Sequence, residues 1–185
     1  MVRTIGKMSK PPSEKQLQCY AEMAAINKFL KPLIEFVNAG FAAKARGTTK
    51  TPYNLALGYN KKYALQGTNP EISINYEKVL LTQGKLPEVL NAAVVLTTQG
   101  LSFSWEVPAN LAWPRSTDQA MLLAYFPDLQ KAVYVLAGAS RMKGGDVLPL
   151  QPELLTEHIE VYISFVSENR KEISNSTYLG SFHVS

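Results

Sequence analysis

Residues 101–108 read LSFSWEVP: apolar and polar residues alternate up to Trp105, and Pro108 closes the run. Successive side chains of an extended chain point to opposite faces, so Leu101, Phe103 and Trp105 share one face while Ser102, Ser104 and Glu106 take the other. The apolar face needs a second layer to cover it. Trp105 is thereby assigned to a core between two sheets, where burying the indole contributes about 2–3 kcal/mol by area bookkeeping.

The same period recurs on both sides of this stretch. In HIEVYISFV (158–166), Ile159, Val161, Ile163 and Phe165 form one face, and His158, Glu160, Tyr162 and Ser164 form the other, which is expected to be wet. Strands are expected at 92–98, 101–107, 119–126, 132–137, 146–150, 158–166 and 173–184, parted by Gly100, the loop PANLAWPRST, Pro127-Asp128, Lys143-Gly144-Gly145 and the run ENRK. Seven short strands in about a hundred residues predict an aligned antiparallel β-sandwich over 85–185. Upstream, EISINYEKVLL reads as a connecting strand within 68–84.

The N-terminal third follows a helical period instead. Ser13 and Gln16 fit a capping box, and Cys19, Met23, Ile26, Leu30, Leu33 and Val37 recur at spacings of three and four. Pro32 predicts a kink or a fresh start, with the helix ending near Gly47. Thr51-Pro52 restarts the pattern with Leu55, Tyr59 and Tyr63, which ends at Gly67. Residues 13–67 are thus expected to hold two or three helices, preceded by a flexible basic segment over 1–12. The fold class is α+β.

The net charge of +4 conceals an asymmetry. Residues 1–66 carry eleven Lys/Arg against three Glu, a balance of +8, and residues 67–185 carry eight against twelve, a balance of −4. A basic segment of this kind suits an anionic partner, whether nucleic acid, an acidic protein face or a lipid surface. No apolar run reaches the roughly 18 residues of a membrane span, and the first fifteen residues lack a signal-peptide core, which implies synthesis for the cytoplasm or export by an unmarked route. The single cysteine, Cys19, sits on the apolar stripe and is expected to be buried and inert.

Two phrases carry a resemblance. LSFSWEVP resembles the second strand of a fibronectin type III domain, and VYISFVSENRKEISNSTYLGSF resembles its last hairpin, although the family's corner tyrosine is missing because Tyr162 points the other way. The chain as a whole is similar to an uncharacterised family of small Bacteroidota proteins, a domain of unknown function, at PPSEKQLQ, TPYNLALGYNKKYALQG, INYEKVLLTQGKLP and ISNSTYLG. Members of that family usually begin with a longer glycine- and lysine-rich segment that this chain has only as VRTIGK. The resemblance implies no activity; in style it resembles small phage and prophage structural proteins.

Chemistry is thinly supplied. There is no GxSxG, Walker loop, GxGxxG or HExxH, so no cofactor is implied, and His158 with His183, at adjacent strand ends, matches no closed metal site. Gly144-Gly145 after Arg141 and Lys143 is read as a hairpin turn rather than an anion site. Two segments stand out as binding surfaces. Trp113 and Arg115 occupy a loop at one end of the sandwich and combine two hot-spot residue types. Lys44, Arg46 and Lys50, with Lys61 and Lys62, form the basic run. The expectation is a non-enzymatic assembly or adhesion protein, the acidic sandwich of one copy meeting the basic helices of another, in oligomers that loosen as salt rises. A nucleic-acid binder and, more weakly, a carbohydrate-binding sandwich using Trp113 are the alternatives.

Overall fold

Ser13 starts the first helix: its hydroxyl accepts from the Gln16 amide, and Gln16 Oε1 accepts from the Ser13 amide at 2.8 Å. The structure, a computed structural model, describes residues 11–183, so most of the basic segment 1–12 lies outside the described residues. Helix α1 (Glu14–Leu30) gives way at Pro32 to a 3₁₀ turn, Lys31–Leu33, before α2 (Ile34–Ala45). The proline has no amide to continue the ladder, which places the interruption. Thr51 caps α3 (Pro52–Tyr63), accepting from the Asn54 amide at 3.2 Å.

Helix α3 ends four residues before Gly67. Strands β1 (Leu65–Thr68) and β2 (Glu71–Ile74) then form a small antiparallel hairpin, where a helix end and a lone connecting strand were expected. The buried face of α3 also differs from the Leu55–Tyr59–Tyr63 stripe. Ala56, Asn60 and Ala64 turn inward and Tyr63 is exposed. Asn60 explains the rotation: its side chain donates to the Leu80 carbonyl and accepts from the Leu80 amide, both at 2.8 Å, completing the backbone of a non-helical, non-strand segment.

Seven further strands build two antiparallel sheets. One is ordered β3 (Ala93–Thr97), β4 (Gly100–Ser104), β7 (Gly145–Pro149); the other is ordered β6 (Lys131–Val135), β5 (Gln119–Phe126), β8 (Ile159–Val166), β9 (Thr177–Phe182). Between them lies a core of Leu101, Phe103, Trp105, Ile159, Val161, Ile163 and Phe165, joined by Leu122, Phe126 and Leu148. Trp105 is 5% exposed, stacks edge-on against Phe165 with centroids 5.4 Å apart, and donates its indole N–H to the Arg141 carbonyl at 2.7 Å. The expected sandwich is present, and its strand order is a Greek key.

A second core lies on the far side of the four-stranded sheet. Ile26, Leu30, Leu33, Phe36 and Phe41 from the helices pack against Met121, Leu123, Tyr125 and Tyr162 from β5 and β8. Every residue of β8 is buried, so the face expected to be wet is covered. Its polar groups are mostly paired within the cover: Tyr162 donates to the Tyr76 carbonyl at 2.7 Å, and Glu160 accepts from Tyr178 at 2.6 Å and faces His158 Nε2 at 2.8 Å. The molecule is thus three layers, helices on one sheet and a second sheet beneath.

Candidate functional site

Helix α2 reaches the sandwich through Gly40. A Cβ there would lie 2.4 Å from the Leu81 carbonyl oxygen, and the Gly40 carbonyl accepts from the Gln83 amide at 3.0 Å, so only glycine lets the helix backbone approach this closely. The contact delivers the end of α2, with Lys44 and Arg46, to the turn that joins β8 to β9. Arg46 donates to the carbonyls of Arg170 and Lys171 at 3.1 and 3.2 Å.

The Trp113 loop comes to the same turn. Arg115 pairs with Glu172 at 3.0 Å, and Trp113 stands 78% exposed. Two segments about seventy residues apart in sequence therefore converge on residues 170–172. Between the last turn of α2, residues 83–85 and residues 171–175 lies a cleft of about 390 Å³.

The rest of the basic run is dispersed. Lys50 is exposed in the turn before α3. Lys61 sits against α1, 3.4 Å from Glu22 and 3.3 Å from the Cys19 sulfur, and the hydrogen bond to that sulfur leads the effects that raise its ammonium group. Lys62 lies over the Tyr63 ring. Cys19 is exposed, because the first two turns of α1 extend past the body that buries Ile26 and Leu30; the inert, buried thiol expected from the stripe is not what forms.

His158 and His183 do meet: their rings stack with centroids 3.8 Å apart. The Nε2 of His158 faces Glu160 and its Nδ1 lies 3.9 Å from Asp128. Among the described residues no cluster of three or more His, Cys, Asp or Glu is placed to hold a metal ion. The Gly144-Gly145 pair serves a turn, as Gly144 takes a left-handed conformation and follows a 3₁₀ turn over Arg141–Lys143.

Arg141 itself is buried. It lies 3.4 Å from the buried carboxylate of Asp118, close enough to pair but misaligned for a hydrogen bond, and its guanidinium covers Phe165 at 3.8 Å. Desolvation pushes the Asp118 carboxyl up and the Arg141 guanidinium down, the opposing charge only partly compensating. This pair closes one end of the sandwich beside Trp105.

The outer face of the three-stranded sheet is bare. Read across the register, its outward positions are Ala93, Ser104 and Gly145, then Val95, Ser102 and Val147, then Thr97, Gly100 and Pro149. None of these nine is charged, in a chain of which 18% is charged; the charges of this face, Glu106 opposite Asn91 and Lys143 before β7, lie at one end of it. Val95 is 61% and Val147 46% exposed. Two more exposed apolar side chains, Leu90 and Met142, precede β3 and β7 at one end of the same sheet. Period alone located this face, but only the three-layer arrangement shows that it is the uncovered one. No described helix is long and apolar enough to cross a membrane.

No curated protein matches the chain. A family match does extend across nearly all of it, from residue 2 to residue 180, and spans both the helical layer and the sandwich. By that match the chain belongs to DUF6266, described as a family of unknown function.

Proposed function

We propose that the protein is a non-enzymatic assembly module that associates with further copies of itself through the bare face of β3, β4 and β7. The observation that carries this is the apolar row of Val95 and Val147 in the open, in the uncharged middle of that face. A second copy fits it best, because the middle of the face is uncharged, its charges Glu106 and Lys143 lie at one end, and a twofold contact pairs identical apolar rows. The helices occupy the opposite flank of the sandwich, which leaves this sheet as the one able to accept a neighbour.

A charge-driven contact between sandwich and basic helices has less to work with. Lys61 is engaged by Glu22 and Cys19, and Arg46 by carbonyls of its own chain. The non-enzymatic part of the proposal draws on His158, whose side-chain partners are Glu160 and the stacked ring of His183 rather than a serine or cysteine nucleophile. Sedimentation velocity across a concentration series tests the proposal. Association that persists or tightens as salt rises and is lost in Val95→Lys is expected. A monomer at all concentrations, or oligomers that dissolve in salt and ignore Val95→Lys, overturns it.

A further inference from the structure

Three lysines, Lys44, Lys85 and Lys171, are among the residues that line the cleft between α2 and the β8–β9 turn. They come from three distant parts of the chain, so no local run of basic residues accounts for their meeting. Among the described residues no carboxylate lies within 4.0 Å of any of them. The one acid in the lining, Glu172, is held by Arg115 at 3.0 Å. Arg46 adds a fourth positive charge at the rim, anchored on the Arg170 and Lys171 carbonyls.

The floor beneath these charges is fixed. Gly84 lies so close to residue 173 that a Cβ would sit 2.0 Å from the Ile173 oxygen. Backbone bonds from Leu86 to Ile173 and from Gln83 to Gly40, with the Thr82 hydroxyl on Ser174, tie the three walls together at 2.8–3.0 Å. The end of α2 contributes a partial negative charge of about half an elementary unit, which is small against four full positive ones. Like charges carried on one rigid backbone frame favour the entry of an anion between them.

The geometry points to a binding site for a small phosphorylated polyanion in this cleft, its phosphate oxygens taken by Lys44, Lys85 and Lys171. The volume of about 390 Å³ lies in the range of small-molecule sites and exceeds what a lone carboxylate side chain fills. The site is separate from the bare sheet face, so it stands or falls apart from self-association.

Isothermal titration of the full chain with inorganic pyrophosphate and tripolyphosphate tests it. Binding is expected to weaken as salt rises and to drop about tenfold in Lys85→Gln and in Lys171→Gln, the loss of one charged hydrogen bond each, while Lys50→Gln binds as the parent does. All three lysines of the cleft are exposed, so the variants keep the fold. Three results overturn the site: no heat with either anion, equal affinity in Lys85→Gln and the parent, or cleft-dependent binding of duplex DNA without binding of pyrophosphate.

Discussion

The two sheets of the sandwich alternate apolar and polar residues in the same way, and they meet opposite fates. In β4 the alternation separates core from surface: Leu101 and Phe103 are buried, and Ser102 and Ser104 face outward. In β8 it separates one core from another. Ile159, Val161, Ile163 and Phe165 face the second sheet, while Glu160, Tyr162 and Ser164 are buried on the opposite side, Tyr162 in the core that the helices share. Alternation of polarity therefore reports the pleat of a strand and not the presence of water on its polar side. What covers a face is decided by elements far away in sequence, here by the helices and the segment around Tyr76.

The largest expected effect tests whether the helical layer belongs to the same folding unit as the sandwich. Leu30→Ala opens a void in the helix–sheet core and is expected to cost about 2–5 kcal/mol. Far-ultraviolet circular dichroism of the helices and the near-ultraviolet signal of Trp105 are expected to shift together in urea. Two separate transitions, with only the helical one moved, would break the picture of a sheet that needs both neighbours.

An alkaline titration sharpens the contrast next. Burial pushes the hydroxyls of Tyr125 and Tyr178 up to about 12 and raises that of Tyr162 well above the ordinary 10.0. The folded state then keeps protons that the unfolded chain gives up. Stability from these groups is full below about pH 10 and is lost as pH rises through about 12. Tyrosinate absorbance is expected to appear partly with unfolding; a smooth titration near pH 10 of all nine tyrosines would contradict the covered sheet.

A smaller effect of opposite sign belongs to Ser164. Its hydroxyl is buried on β8 without a hydrogen-bond partner among the described residues. Ser164→Ala is expected to raise stability by about 1 kcal/mol in urea denaturation, because a desolvated hydroxyl is removed and nothing is broken. A loss of stability instead would mean that the group is satisfied in solution.

Much of the sandwich was legible because period 2 is a local property. The strands around Phe103, Leu122 and Ile163 fall where the alternation put them, and Trp105 is buried for the reason its in-phase neighbours suggested. The helix starts at Ser13 and Thr51 were legible too, since caps are short motifs. Features built from distant partners were not. Nothing near Asn60 announces that it will complete the backbone of Leu80, and nothing near Lys85 announces Lys44 and Lys171. The β1–β2 hairpin was missed because a four-residue strand of Leu, Gln, Gly and Thr right after a helix carries too few apolar positions to show a period. Trp113 and Arg115 stand out by residue type and by their loop, whereas the partner that fixes Arg115, Glu172, lies in the last hairpin.

The smallest effect on stability bears on the proposed role. Val95→Lys is expected to change folding by no more than about 0.5 kcal/mol, since the site is open. Methyl resonances of the parent protein, followed through a dilution series, report which side of the molecule meets a neighbour. The Val95 and Val147 methyls are expected to shift with concentration while Ile34, exposed on the helical layer, stays fixed. Shifts at Ile34 with none at Val95 and Val147, or no concentration dependence at any methyl, would contradict a molecule that covers one sheet with helices and presents the other to a second copy.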